Sequence, residues 1–170
     1  MKMPPFTPTM HPNRLMADAH KIVTSNRKAT HEYHIDDRVE AGMVLKGTEV
    51  KSVRQGKVNL QEAYCQVEGG EMWLYQCHIA PYTHGNIANH DPVRRRKLLL
   101  HKREIERLEK AAAQKGYTIV PLKVYLQRGR VKLEIGLGKG KKLYDKRADI
   151  AAKDVKRKLS RADVQRAREE

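Results

Sequence analysis

The sequence predicts a mainly β protein: a small, closed or nearly closed β-barrel with one or two added helices and a basic C-terminal tail. Three observations predict it. Two stretches alternate apolar and polar residues on either side of a two-residue turn signal, at Gly69-Gly70 and at Arg128-Gly129. Helical periodicity in the body is confined to short segments, and in the tail Ile150, Val155, Leu159 and Val164 recur at i+4 or i+5, too sparsely to fold alone. The last thirty or so residues are rich in Lys and Arg and poor in large apolar residues, so they bury too little surface to offset their ordering entropy.

Taken in order, residues 1–22 carry Pro4, Pro5, Pro8 and Pro12 and read as an extension without fixed structure. His31-Glu-Tyr-His-Ile and Ala41-Gly-Met-Val-Leu-Lys read as strand. Gly47-Thr-Glu-Val-Lys-Ser-Val-Arg-Gln-Gly fits a short helix, with Thr48 as N-cap, Gly56 beyond its end, and Val50 and Val53 facing the core. The hairpin from Val58 to Ile79 places Ala63, Cys65, Val67, Met72 and Leu74 on one face. Tyr64, Trp73 and Tyr75 share the other. That aromatic face is either a base-stacking platform or core beneath a helix, and the scarcity of aromatics favours core. By the same alternation Cys65 pairs with residue 74 and Cys77 with residue 62. The two thiols then point to opposite faces and stay reduced. A helix from about His101 to Lys115 presents Ile105, Leu108 and Ala112 and ends at Gly116. Thr118 to Leu126 then turns back into Val131, Leu133, Ile135 and Leu137, which alternate with Lys132 and Glu134. Residues 23–138 form the body and 139–170 the tail.

The 170 residues hold 35 Lys and Arg against 20 Asp and Glu, a net charge of +15. Such a charge concentrates polyanions around the protein, which makes nucleic acid the first partner to consider. No apolar run reaches membrane-spanning length, and no signal-peptide core is present at the N-terminus, so the chain reads as cytoplasmic with no membrane partner. The residues offer little catalysis. His78, His84 and His90 are spaced six apart, with no cysteine pair beside them, and make a poor zinc set. Gly138-Lys-Gly-Lys-Lys lacks the Ser/Thr and glycine spacing of a phosphate loop and reads as a flexible basic hinge. The chain therefore reads as no enzyme, with no metal and no cofactor. Arg94-Arg-Arg-Lys abuts three leucines, so its charges are expected on a rigid body facing phosphates.

Five segments resemble the SsrA-binding proteins, also called small protein B. They are Glu40-Ala-Gly, Gly47-Thr-Glu-Val-Lys-Ser-Val-Arg-Gln-Gly, Asn89-His-Asp-Pro, Arg96-Lys-Leu-Leu-Leu-His-Lys and Gly138-Lys-Gly-Lys-Lys-Leu-Tyr-Asp-Lys-Arg. The resemblance covers about residues 23 to 160. It implies an oligonucleotide-binding (OB-fold) closed β-barrel that holds the tRNA-like part of tmRNA (SsrA RNA) and delivers it to stalled ribosomes for trans-translation. It implies RNA-binding roles for Glu40, Leu99 and Lys132, and for Asn26, Arg27 and Lys28. It places Gly140, Lys141, Lys142, Tyr144, Asp145, Lys146 and Arg147 at the ribosomal decoding site, on a tail that is disordered when free and helical on the ribosome. The implied partners are tmRNA, the small-subunit rRNA of the ribosome and elongation factor Tu with aminoacyl-tmRNA. The implied state is a cytoplasmic monomer.

Overall fold

The longest ladder in the protein joins β8 (Tyr117–Gln127) to β9 (Arg130–Gly140). Its turn is Arg128-Gly129, both with positive φ (49° and 76°), which matches the twist of the flanking strands. The computed structural model describes residues 21–85 and 89–169. The Pro-rich stretch before Lys21 lies outside the described residues. Residues 21 and 22, expected in the extension, begin β1 (Lys21–Ser25), which pairs with β8.

Helix α1 (Arg27–Glu32) follows, so His31 and Glu32 end a helix rather than start a strand. β2 (Tyr33–Met43) then pairs along β9 from Tyr33–Gly140 to Gly42–Lys132. α2 (Gly47–Arg54) begins at Lys46 rather than Thr48: the Lys46 N–H donates to Glu49 Oε2 at 2.8 Å. Gly56 lies beyond the helix with φ 78°, as expected, and Val53 is buried. β3 (Val58–Asn59) and β6 (His78–Ile79) make a small separate pair. β4 (Tyr64–Glu68) and β5 (Glu71–Tyr75) form the hairpin about Gly69-Gly70, with Cys65 opposite Leu74 as the pattern predicted. β7 (Arg96–Leu99) leads into α3 (Lys102–Ala112), shorter than the expected helix, with Ile105 and Leu108 buried.

Six strands close a ring in the order β8–β4–β5–β7–β2–β9, and β9 returns to β8. Closure is uneven. β4 meets β8 through the single pair Cys65–Ile119, and β7 meets β2 through two pairs, Gly42–Leu99 and Met43–Leu98. The expected barrel is thus a mainly β ring with two short seams. Met72, Leu74, Leu98, Val124, Leu133 and Ile135 fill it. A second, smaller core lies where α1 covers β8, formed by Ala29, Val120 and Leu122 with Tyr33 and Ile35 against it. Gly136 serves this second contact. A Cβ there would lie 2.9 Å from both Ile35 Cγ2 and Leu122 Cδ1, closer than packed side chains tolerate.

Two expectations about the β4–β5 hairpin fail. The aromatic face is not core: Tyr64 is 40% exposed, and Trp73 and Tyr75 are half-buried. Tyr64 and Tyr75 stack at 5.3 Å, and the Arg95 guanidinium lies 4.8 Å over the Trp73 ring. The two thiols do not diverge. β5 ends at Tyr75, and Gln76 takes a left-handed φ of 54°, which breaks the alternation. Cys77 turns into the core that already holds Cys65. Both are free; burial, with the neighbouring Cys77 thiol, pushes Cys65 far up, and burial pushes Cys77 up to about 11.

The tail forms one long helix, α4 (Leu143–Glu169). No Gly or Pro interrupts it, and Ala, Arg and Lys make up about half of it, which favours helix locally. Residues 151–158 are exposed throughout.

Candidate nucleic-acid interface

Strand register assembles the principal site. Leu99 on β7 lies opposite Gly42 on β2, Gly42 opposite Lys132 on β9, and Lys132 opposite Tyr125 on β8. Four strands thus contribute one row across the outside of the ring. Glu40, two residues along β2 and on the same face, reaches back into it. Lys132 Nζ is 2.9 Å from Glu40 Oε1, and the Tyr125 hydroxyl donates to Glu40 Oε2. Burial, then Glu40, pushes the Tyr125 phenol up, so it stays a neutral donor.

Leu99 stands beside this pair, 54% exposed, an unusual setting for a leucine. Gly42 makes room for it: a Cβ on Gly42 would lie 3.3 Å from Leu99 Cβ. A groove of about 560 Å³ runs past Leu99 and is also lined by Arg38, Glu40, His101, Glu104, Arg107 and Lys132, with Arg38 paired to Glu134 and Arg107 to Asp37. A second groove of about 410 Å³ flanks Leu99 with Arg130, Val131 and Lys132. Leu99 is therefore an apolar ridge between two grooves, the first lined by ion-paired cations and carboxylates, the second by Arg130 and Lys132. Such a surface suits a folded polyanion, with cations for phosphates and an apolar contact for sugar or base. Glu40 would repel phosphate on its own. Its bond to Lys132 gives it a different task, holding the ammonium at a fixed point on the rim.

Asn26, Arg27 and Lys28 divide into two kinds. Asn26 is 3% exposed, and its amide is used inside the protein. Nδ2 donates to Leu60 O at 2.9 Å and Pro121 O at 3.1 Å, while Oδ1 accepts from Ala29 N at 3.0 Å and caps α1. It holds α1 on the ring and presents its neighbours. Arg27 and Lys28 are exposed, and Lys28 Nζ lies 2.8 Å from Glu62 Oε1.

The tail group starts where β9 stops. Gly138 and Gly140 are no flexible hinge: they pair with Ile35 and Tyr33 of β2. Lys141 is held against α1, Asp145 Oδ2 lies 3.8 Å from His34 Nε2, and Lys142 N donates to Asp145 Oδ2 at 3.3 Å. Lys146 is partly covered and Arg147 exposed; the Tyr144 side chain lies outside the described residues. The tail root and Lys132 sit at opposite ends of the β2–β9 ladder. Nine residue steps on β2 separate them, at most about 30 Å.

The Arg94–Lys97 run is not a free phosphate surface. Arg96 is fully buried by strand alternation, and its guanidinium donates to Glu49 Oε1 at 2.9 Å, to Cys77 O at 2.6 Å and to Pro92 O at 3.0 Å. Arg94 Nη2 donates to Glu49 Oε2 at 2.5 Å. Arg95 pairs with Glu68 and Lys97 with Glu71. Burial pushes the Glu49 carboxyl up, but Arg94, the Lys46 N–H and Arg96 more than offset it and hold it below its ordinary value.

Tyr125, Gly42, Arg38 and Arg107 joined the site only through strand and helix packing. Tyr125 gave one usable signal, a polar-tipped aromatic amid the apolar residues of a strand. Among the described residues, no group of three or more His, Cys, Asp or Glu is placed to hold a metal ion. No helix among them is long and apolar enough to cross a membrane.

Comparison with known proteins supplies the family. The family model described as SmpB protein matches residues 23–165. The SsrA-binding protein of Ruminiclostridium cellulolyticum is 58% identical over 147 residues, covering 86% of this chain and 96% of the relative. That of Bacillus cytotoxicus is 52% identical over 142 residues, covering 84% and 92%. A solved chain from work described as "tmRNA-SmpB: a journey to the center of the bacterial ribosome" superposes with a TM-score of 0.61 at 51% identity, over 71% of this chain and 85% of that one. With the family model spanning the whole body and most of the tail helix, the chain belongs to the SmpB protein family.

Proposed function

We propose that this protein binds the tRNA-like domain of tmRNA and delivers it to stalled ribosomes for trans-translation. Family membership supports the overall reading. The observation that carries it into the structure is the convergence of Glu40, Leu99 and Lys132, from three strands, on one outer face, with Arg38, Arg107 and Arg130 beside it. In this reading that face holds the RNA, and Arg27 and Lys28, presented by Asn26, touch it beside α1. The tail enters the vacant decoding site and mRNA channel through Lys142, Tyr144, Lys146 and Arg147, with Tyr144 stacking on an rRNA base. The protein contributes no chemical step; peptidyl transfer belongs to the ribosome. It acts in the cytoplasm as a monomer, beside aminoacyl-tmRNA and elongation factor Tu.

The test separates body from tail. RNA co-purifying with the full chain is sequenced and is expected to be tmRNA. Removing residues 143–170 is expected to leave tmRNA affinity within about twofold and to abolish tagging of stalled peptides. Loss of tmRNA affinity on that truncation would refute the division of labour.

A further inference from the structure

We propose that Lys141 and Asp149 form a latch that fixes the direction in which the tail helix leaves the body. This rests on the tail being the element that meets the ribosome. It changes the part played by Lys141 from an RNA-contacting cation to a positioning residue.

The chain has no slack at the tail root. β9 remains paired through Gly140, and the next residue is bound through both backbone and side chain. Lys141 N donates to Glu32 O at 2.8 Å. Its ammonium donates to Thr30 O at 3.1 Å and to the Asp149 carboxylate. The Lys141 side chain is only 8% exposed, low for a lysine in a strongly basic protein. Thr30 and Glu32 lie in the last turn of α1, whose carbonyls carry the helix's negative end. One covered ammonium thus ties the C-terminus of α1 to the second turn of α4.

The tie has leverage. Asp149 is six residues into α4, about 9 Å along its axis. Bonds at Lys141 and Asp149 hold the helix at two separated points, so it cannot pivot about its first residue. Asp145, between them, faces His34 of β2 at 3.8 Å. The Lys141 ammonium also holds the Asp149 carboxyl below its ordinary value. Beyond this point the described side chains, 150 to 158, are exposed: Ile150 is 47% exposed and Val155 57%. The helix therefore leaves the body as a lever with a fixed root and a bare shaft.

Asp149→Ala removes the latch while favouring helix, because Ala is the better helix former. Nitroxide labels at Lys115→Cys and Arg157→Cys report the direction of the shaft in the full-length protein bound with tmRNA to stalled ribosomes. Native Cys65 and Cys77 are buried and do not compete for label. One narrow distance distribution is expected on those ribosomes with Asp149 intact, and a broad one with Asp149→Ala. Asp154→Ala, on the bare shaft, is the control and keeps the narrow distribution. Peptide tagging on stalled ribosomes is expected to fall about tenfold in Asp149→Ala, in line with the smaller share of orientations that still reach the site, while tmRNA affinity is unchanged. A distribution that Asp149→Ala leaves as it was, narrow or broad, overturns the latch. Full tagging after removal of residues 143–170 would instead refute the ribosomal reading of the tail, and the label distances would still decide the latch.

Discussion

Replacing Lys132 by Ala tests how the Glu40–Lys132 pair works. The side chain is 28% exposed and 2.9 Å from a carboxylate that is itself 42% exposed. Two effects are expected. Losing one phosphate contact lowers the slope of log affinity against log salt by about 0.7–0.9. Between about 50 and about 200 mM salt, that slope corresponds to roughly a threefold change for the one contact. At a fixed salt near 0.1 M, loss of the charged hydrogen bond itself costs about 1.5 kcal/mol, or about tenfold in Kd. The second effect concerns the partner left behind. Without Lys132, Glu40 keeps the Tyr125 hydroxyl but turns a negative charge that no ammonium offsets toward phosphates, and Glu40→Gln in the Lys132→Ala background is expected to restore about threefold. Filter binding of labelled tmRNA across a salt series reads all three quantities. An unchanged salt slope would take Lys132 off the phosphates. A further loss on adding Glu40→Gln would mean that Glu40 touches the RNA itself, and the argument that it acts through Lys132 would fail.

Other substitutions probe the frame. Asn26→Ala strands the Leu60 and Pro121 carbonyls and uncaps α1, and is expected to cost about 2–3 kcal/mol in denaturant unfolding; RNA affinity per folded molecule should fall as α1 loosens. Glu49→Gln leaves the buried Arg96 guanidinium without a counter-charge and is expected to cost about 3–5 kcal/mol at neutral pH. Because the folded Glu49 carboxyl lies below its ordinary value of 4.5, its contribution is complete above that pH and is lost as pH falls below it. Acid melting curves of the parent should therefore drop through that window, and Glu49→Gln should lack that part of the drop. Gly136→Ala forces a methyl against Ile35 and Leu122 and is expected to cost about 1–3 kcal/mol by thermal melting. A cost near zero there would mean that the Ile35 and Leu122 side chains shift freely to make room.

Much of the β structure was legible because two hairpins announced both turn and register. Once 65 opposes 74, and 128–129 turns the last hairpin, the buried faces of β4, β5 and β9 follow. α1 was not legible. Its six residues are too few for periodicity, and its decisive signal, Asn26 as cap, depends on carbonyls 34 and 95 residues away. The Arg94–Lys97 run misled because charge count carries no information about direction. Alternation along β7 sends Arg96 inward, and only α2 supplies the carboxylate that makes this tolerable. The cysteines misled for a local reason, the single left-handed residue Gln76. Glu40, Leu99 and Lys132 were named by resemblance, but that they share one row, with Tyr125 as its fourth member, needed the register of four strands.

The uneven closing of the ring has a consequence for binding. Within the one sheet, β4, β5 and β7 make one half of the ring and β8, β9 and β2 the other; the halves are clasped by one pair at one seam and two at the other. Leu99 belongs to the first half and Lys132 to the second, on either side of the two-pair edge. A ligand that grips both residues bridges that edge from outside and adds a strap where the backbone supplies little. Such a ligand fastens the molecule as it binds: occupancy and shell integrity rise together, and strain that springs the clasp loosens the cargo.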